Sequence, residues 1–107
     1  MKKRSGRTLL GPKRGSGITL AEAGDIGLAA LGFLAEEPKR LGRFLSLTGM
    51  DAGDLSAQAA EPHMQAALLE HILEDETLLL VFTAEKRIDP GHVQPAFRLL
   101  SGTGDAS

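Results

Sequence analysis

Hydrophobic residues recur from about position 20 to position 101 at the three- and four-residue spacing of amphipathic helices. Polar and charged residues occupy most of the positions between them. The pattern therefore predicts an all-α fold, a compact bundle of five or six short helices. In chain order, the predicted helices cover residues 19–36, 38–48, 52–60, 61–74, 76–86 and 90–101.

Residues that commonly start or end helices stand at the limits of these segments. Thr19 and Glu22 have the spacing of a capping box, in which each side chain accepts a backbone N–H of the other residue. Asp51 and Asp75 stand at N-cap positions, and Gly49 stands where a left-handed C-terminal cap is expected. Three helices begin with an acid followed by a proline, which suits the first turn because it needs no N–H there. These pairs are Glu37-Pro38, Glu61-Pro62 and Asp89-Pro90.

The first and sixth helices contain residues that disturb a regular helix. Gly24, Gly27 and Gly32 lie inside the first helix, where each costs about 0.5–1 kcal/mol relative to alanine. Either this helix is frayed or another helix packs closely against the glycines. Pro95 follows the first turn of the sixth helix, a position where proline can introduce a kink.

Two stretches of the chain align with each other without a gap. Residues 28–59 match residues 66–97 at a constant offset of 38. Identical pairs include Ala29/Ala67, Glu36/Glu74, Leu41/Leu79, Phe44/Phe82, Asp51/Asp89 and Gly53/Gly91. This self-similarity predicts that the bundle is built from two pseudo-repeated helical hairpins.

The fifth predicted helix is the most ambiguous segment. Residues 77–83 have the composition of a buried strand as well as of a helix. A helix is favoured because the aligned segment 39–45 has helical spacing and because no second strand is available for pairing. Its five consecutive apolar residues point all round the axis, and such a helix needs cover on every side. We therefore expect it to be the central helix, or to be covered on one face by another chain. The candidate interface residues are Leu78, Leu80 and Val81.

The net charge of −2 hides an uneven distribution. Residues 1–14 contain six basic and no acidic residues, whereas the remainder contains six basic and fourteen acidic ones. We predict a disordered basic tail over residues 1–18, a helical domain over 19–101 and a flexible C-terminus over 102–107. The tail can stay solvated, fold back onto the acidic domain or bind phosphates of a nucleic acid. The candidate phosphate contacts are Lys2, Lys3, Arg4, Arg7, Lys13 and Arg14.

Composition excludes several classes of protein. The chain has no cysteine, and it therefore has neither disulfides nor thiolate metal sites. No stretch approaches the roughly 18 apolar residues of a membrane span. The basic start is not followed by the apolar core of a signal peptide. We expect a soluble cytoplasmic protein.

No motif points to catalysis or to base-specific DNA recognition. Residues 6–13 approach the phosphate-loop pattern, but Pro12 breaks it and no strand precedes it. No sequence marks the nucleophile elbow of a serine hydrolase. Residues 48–51 and 87–90 resemble the turn of a helix-turn-helix, but the helices that follow carry few side chains that read base edges.

Two histidine–acid pairs have the i, i+3 spacing of helical metal ligands. They are His71 with Glu74, and Asp89 with His92. A helical di-metal site needs further carboxylates on neighbouring helices, so capping and solvation explain these acids more simply. Glu74 with Asp75 and Glu76 can attract a cation, but negative charge there also suits the start of the fifth helix. We predict no catalytic, cofactor-binding or metal-ligating residue.

A set of short segments resembles one known family. The segments are Phe33-Leu34-Ala35-Glu36, Pro38, Arg40-Leu41-Gly42-Arg43-Phe44-Leu45, Thr48-Gly49, Asp54-Leu55, Leu73-x-Asp75-Glu76-x-Leu78-Leu79 and Phe82. Over about residues 20–101 the chain resembles the small helical proteins of alphaproteobacteria grouped as domain of unknown function family 3572. The resemblance implies an all-α fold and a bacterial cytoplasmic setting. It implies no activity, cofactor or catalytic residue.

Two functional hypotheses follow, and neither includes an enzyme, a cofactor or a membrane. The leading hypothesis is a noncatalytic protein-interaction or regulatory module that binds an unknown protein partner or forms a homodimer. It depends on the apolar fifth helix. The alternative is a nucleic-acid-associated protein that binds phosphates through its basic N-terminal arm, with an affinity that falls steeply as salt rises.

Overall fold

A computed structural model describes residues 17–103. Within these residues the chain forms six α-helices and one short 3-10 helix, and it contains no β-strand. The predicted all-α fold is confirmed. The six candidate phosphate contacts lie outside the described residues. The helices are α1 (Leu20–Ala35), α2 (Pro38–Thr48), α3 (Ala52–Ala57), α4 (Pro62–Leu73), α5 (Glu76–Lys86) and α6 (Val93–Thr103), with a 3-10 turn at Pro90–His92.

Local capping explains where most helices begin. The Glu22 backbone N–H donates to Thr19 Oγ1 at 3.1 Å, and the Thr19 N–H donates to Glu22 Oε1 at 2.8 Å. The predicted capping box is therefore present. Asp51 caps α3 in the same reciprocal way with Asp54. Asp75 accepts the Leu78 N–H at 3.1 Å, which starts α5 as predicted. These interactions span three residues, so sequence spacing alone was sufficient to find them.

Two helices differ from their predicted limits. α3 ends at Ala57 rather than near residue 60, because Gln58 turns the chain and donates its N–H to the end of the helix. The α-helical part of α6 begins at Val93, after the 3-10 turn, and continues to Thr103. Pro95 is thus the third residue of α6, where a backbone N–H has no acceptor within the helix. Proline is tolerated at this position without the loss of a helical hydrogen bond.

The core lies where α1, α4 and α6 meet, and α4 occupies its centre. α4 packs against α1, α5 and α6, whereas α2 packs mainly against α1. α1 and α6 each bury one stripe at helical spacing, as the periodicity predicted. The largest fully buried side chains are Phe33, Phe44, Phe82, Leu34, Leu68, Leu69, Ile72, Leu100 and Val93.

α1 and α4 approach each other closely at Gly27. A Cβ atom added to this residue would lie 2.7 Å from Cβ of Gln65 in α4, nearer than real carbon atoms approach. Gln65 is 5% exposed, and its Nε2 donates to the Ala59 carbonyl at 3.2 Å. α1 is continuous, so close packing rather than fraying explains Gly27. The same explanation does not extend to Gly32, since an added Cβ there meets nothing within 4 Å.

The prediction that the fifth helix is central was wrong. α5 is a helix and not a strand, but only Phe82 and Thr83 are buried along it. Leu80 is 53% exposed. Its neighbours Leu78, Leu79 and Val81 are half-buried against the core. α4 takes the central position instead, because α1 and α6 cover it from two sides while α5 lies beyond it. The alternative, that another chain covers one face of α5, stays a prediction.

α2 is attached through few contacts. Phe44 is its one buried residue. Arg40 holds its first turn, because the guanidinium carbon lies 4.1 Å from the centre of the Phe33 ring and Nη1 donates to the Phe33 carbonyl at 3.3 Å. That carbonyl belongs to the last turn of α1, where a positive charge is favourable. α2 therefore lies on the surface of the core rather than within it.

Gly27 and Gly32 of α1 should respond in opposite directions to the same substitution. Gly27→Ala should lower the free energy of unfolding by about 1–3 kcal/mol, since α1 and α4 must separate to accommodate the methyl group. Gly32→Ala should raise it by about 0.5–1 kcal/mol, because the site is open and alanine favours the helix. Urea unfolding followed by circular dichroism measures both. Equal effects at the two positions would contradict the close approach at Gly27.

Candidate interaction site

A groove of about 640 Å³ runs between α2 and the junction of α4 with α5. One wall is the outer face of α2, and the other wall is the end of α4 with the start of α5. The two walls come from segments more than twenty residues apart in the chain. The lining residues are Lys39, Arg40, Arg43, Leu47, His71, Glu74, Asp75, Glu76 and Leu78.

The α2 wall is basic with an apolar end. Lys39, Arg43 and Leu47 recur every four residues, so they lie along one side of α2. Lys39 and Arg43 are exposed. Leu47 is 68% exposed, the highest value among the exposed large hydrophobic residues of the described chain. This side of α2 therefore presents two cations and an uncovered leucine to the groove.

The opposite wall is acidic because a helix end and a helix start meet there. Glu74 is the C-cap residue of α4, and Asp75 is the N-cap residue of α5. Glu76 is the first residue of α5, where a negative charge is stabilised by the helix dipole. The predicted capping role of Asp75 is confirmed. The carboxylates of Glu74 and Glu76 remain exposed beside it.

The charges of the two walls do not neutralise each other directly. Within residues 17–103 the salt bridges join Lys86 to Glu36 at 2.6 Å and His92 to Asp89 at 3.7 Å, and both lie away from this groove. The basic and acidic walls are thus separated by open space. A bound molecule that carries both signs of charge can reach both walls.

His71 lies in the groove with one edge against the core. Its ring contacts Phe44 edge to face, with 5.3 Å between the ring centres and 76° between the planes. Burial lowers the pKa of His71 below its usual 6.5, and the positive charge of Arg43 acts in the same direction. Glu74 and Asp75 act in the opposite direction without cancelling the effect of burial. The neutral imidazole is therefore the form that the folded domain favours.

The polar side chains of the groove are three cations, three carboxylates and one imidazole, and its lining contains no serine, threonine or cysteine. Across the described part of the chain, no three His, Cys, Asp or Glu side chains come together as a metal site. Of the two histidine–acid pairs considered above, Asp89 Oδ2 and His92 Nε2 lie 3.7 Å apart. They line a second, shallower depression of about 430 Å³ near the start of α1.

The three predicted interface residues do not share one face. Leu78 lines the groove, whereas Val81 is half-buried. Leu80 points about 200° around the helix from Leu78, because successive residues are about 100° apart. Its side chain is 53% exposed on the far side of α5. The structure thus brings Leu78 together with the basic side of α2 and leaves Leu80 elsewhere. An interface role for these residues stays a prediction.

Sequence reasoning missed the groove because its parts are weak signals taken separately. Lys39 and Arg43 are typical of the solvated side of an amphipathic helix, and Glu74 to Glu76 are typical of a helix junction. One clue was available in Leu47, a leucine outside the apolar stripe of α2. The juxtaposition itself depends on how α2 packs on α1, which no local pattern contains.

The fold and the groove define an all-α domain with a mixed-charge surface site. The sequence profile of a family described as "Protein of unknown function (DUF3572)" matches residues 20–103. The chain therefore belongs to this family, as the resemblance predicted. No curated protein and no solved structure matches it. Among the described helices, none has both the length and the apolar character needed to cross a membrane.

The lowered pKa of His71 predicts that acid weakens the fold. The unfolded chain binds a proton near pH 6.5, whereas the folded chain binds it only at lower pH. The unfolded state therefore holds more protons as the pH falls from about 6.5, and the free energy of unfolding decreases in that range. Urea unfolding at pH 7.5, 6.5 and 5.5 measures this dependence.

His71→Phe is the matched control for this effect. Phenylalanine keeps an aromatic ring against Phe44 but cannot be protonated. The difference in stability between pH 7.5 and pH 5.5 should be smaller in the variant than in the native chain. An identical pH dependence in both proteins would show that His71 does not contribute to it.

Proposed function

We propose that this domain is a noncatalytic protein-interaction module, and that its recognition surface is the groove between α2 and the α4–α5 junction. The observation that carries the proposal is the pair of oppositely charged, mutually unpaired walls beside an exposed leucine. The partner is a protein segment that carries both an acidic and a basic residue next to an apolar one. We also place the domain in a bacterial cytoplasm, as the family resemblance implies.

The distribution of charge supports specific recognition of a partner rather than nonspecific binding. Residues 17–103 contain six basic and thirteen acidic residues, so their net charge is −7. Within this acidic domain, half of the basic residues belong to α2 and line the groove. A partner with both signs of charge is oriented by the two walls, and like charges repel it in the reversed orientation. Such an arrangement favours specificity and fast association more than affinity.

Apolar surface at the groove supplies the binding affinity that the charges do not. Leu47 is 68% exposed at the end of the basic wall, and Leu78 is half-buried at the acidic wall. Few interface residues carry most of the binding energy, and these lie where water is excluded on binding. Covering a leucine contributes about 1.5–3 kcal/mol when its side chain becomes fully buried. Leu47 is therefore the residue on which we expect affinity to depend most.

The loose attachment of α2 is also consistent with binding. α2 buries one residue and packs chiefly against α1. Segments with few buried apolar contacts open at a lower free-energy cost than the core. The basic wall can therefore adjust to a partner while α1, α4 and α6 stay packed.

The proposal is tested by selecting peptides from a random library displayed on phage against the immobilised full-length protein. Selected peptides should contain an acidic, a basic and an apolar residue. Binding of a synthetic selected peptide is then measured by fluorescence anisotropy. Leu47→Asp should weaken it at least tenfold, which corresponds to about 1.4 kcal/mol, because the change removes the exposed apolar anchor.

Leu80→Asp is the matched control, since it makes the same chemical change at another exposed leucine. It should leave peptide binding unchanged. Circular dichroism of both variants confirms that each is folded. If Leu80→Asp abolishes binding and Leu47→Asp does not, the outer face of α5 is the interface and the groove is not. If no peptide is selected that depends on Leu47, the proposal fails.

A further inference from the structure

The two halves of the described chain place equivalent elements at the same offset that aligns their sequences. α2 begins at Pro38 and ends at Thr48, and α5 begins and ends 38 residues later. The residue that follows each helix has left-handed backbone, with φ of 76° at Gly49 and 57° at Arg87. Arg87 is the one residue other than glycine with positive φ among residues 17–103. The two turns therefore share a conformation that is uncommon outside glycine.

Two aromatic contacts between the halves correspond to each other under the offset of 38 residues. Phe33 of α1 contacts Phe82 of α5, with 5.3 Å between ring centres. The residues 38 positions away from each, His71 of α4 and Phe44 of α2, also contact each other at 5.3 Å. Each contact therefore pairs a residue of one half with a residue of the other, and the same two positions are paired again with the halves exchanged. Such reciprocity is the pattern of a local twofold arrangement of α1 and α2 against α4 and α5. Gly27 and Gln65, also 38 apart, contact each other directly, as residues near a twofold axis do.

We call the surroundings of the Phe33–Phe82 contact the first place and those of the Phe44–His71 contact the second place. In the first place, side chains of the protein itself occupy the space beside the aromatic ring. The guanidinium of Arg40 lies over the ring of Phe33, 4.1 Å from its centre. Nearby, Lys86 donates to the carboxylate of Glu36 at 2.6 Å. An aromatic ring and a carboxylate at the end of α1 are therefore both satisfied by positive side chains.

The second place keeps the ring and the carboxylate but lacks both cations. His71 stands where the first place has Phe33, and Glu74 stands where it has Glu36. Leu78 replaces Arg40, and Thr48 replaces Lys86. His71, Glu74 and Leu78 all line the groove. In the first place, the guanidinium of Arg40 and the ammonium of Lys86 fill this space. In the second place the equivalent space is open, and it is part of the groove.

We propose that the groove binds an arginine side chain of the partner segment, with its guanidinium on the ring of His71 and paired with the carboxylate of Glu74. This inference rests on the proposed function and names the chemistry of its partner. The first place supplies the internal precedent for both contacts, since Arg40 stacks on an aromatic ring and Glu36 accepts from a cation.

The surrounding charges set the orientation of that arginine. Asp75 and Glu76 flank Glu74 on the same wall and favour a cation there. Lys39, Arg40 and Arg43 face it from α2 and disfavour a cation on their side. An acidic residue next to the arginine in the partner segment would pair with Lys39 or Arg43. The partner motif is therefore an arginine adjacent to an acid, with its arginine at the α4–α5 junction.

The test is an NMR titration of the isotope-labelled full-length chain with two synthetic tripeptides at millimolar concentration. One is acetyl-Asp-Arg-Ala-amide, and the other has citrulline in place of arginine, which keeps the shape and removes the charge. The arginine peptide should shift the resonances of His71, Glu74 and Leu78. The citrulline peptide should bind roughly three- to tenfold more weakly, the range expected for a surface ion pair with a cation–π contact.

Two substitutions should fill the proposed cation site with a positive side chain of the protein itself. Thr48→Lys places a cation at the position that corresponds to Lys86, and Leu78→Arg places one at the position that corresponds to Arg40. Each should reduce the shifts caused by the arginine peptide. Leu80→Arg, on the other side of α5, should leave them unchanged. Thr48 is exposed, so its variant keeps the test valid if Leu78→Arg does not fold.

Several results would overturn the inference. Equal binding of the arginine and citrulline peptides, or full binding by Thr48→Lys, would exclude a guanidinium site at Glu74. Shifts of the His71 and Glu74 resonances with protein concentration alone would identify a second copy as the occupant. Binding that is seen only after the six basic residues of positions 1–14 are replaced by serine would identify the chain's own N-terminal segment as the occupant.

The proposed function does not require the arginine site. The experiments therefore distinguish a failure of the arginine site from a failure of the proposed function. Phage-selected peptides that need Leu47 but bind equally well without arginine would keep the groove as an interaction site and exclude this ligand chemistry. Loss of the Leu47 dependence, with the tripeptide still shifting His71 and Glu74, would keep the cation site and remove the protein-recognition surface.

Discussion

The close approach of α1 and α4 is the constraint on which the rest of the structure depends. It requires Gly27, because a side chain there would overlap Cβ of Gln65. With these two helices in contact, the buried faces of both can share one core with α6. A chain of this size buries only about 60–70% of the surface that its unfolded form exposes, so a single well-packed helix pair supports much of the fold. Gln65 adds a polar contact at this place, because its Nε2 donates to the Ala59 carbonyl at 3.2 Å.

That helix pair also determines where the peripheral helices lie. α2 and α5 each follow one member of the pair, and each places a phenylalanine against an aromatic ring of the other member. Around one of these aromatic contacts the chain supplies its own positive charges, from Arg40 and Lys86. Around the other, Leu78 and Thr48 stand at the positions that correspond to Arg40 and Lys86, and an open groove with walls of opposite charge lies there. The difference between the two places, rather than any single motif, is what suggests a binding function.

His71 connects the proposed binding groove with the stability of the domain. His71 is held partly buried against Phe44, the one buried residue of α2. Protonation of its ring therefore acts on the same contact that attaches α2, the helix that forms the basic wall. The energetic effects involved are each small, which is ordinary for a domain whose total stability is a difference between large opposing terms.

The sequence by itself determined the helices and much of the core. Caps, prolines and apolar spacing located four of the six α-helices to within about two residues, because these signals act over one turn of the chain. The sixth α-helix begins three residues later than predicted, after the 3-10 turn. The third helix was predicted too long, since nothing in its sequence marks Gln58 as the end. The resemblance to the family was based on the same capping and core residues, and the family profile matches residues 20–103.

Only the tertiary structure decided which helix is central and where the candidate site lies. The apolar run of α5 suggested a helix buried on all sides, yet α4 is central and Leu80 is exposed. Composition reports how much apolar surface a helix carries but not which neighbours cover it. The groove likewise depends on the position of α2 relative to the α4–α5 junction, and that position follows from packing between residues distant in sequence. Local patterns determine local structure, whereas a site shared by two separate segments exists only once the chain has folded.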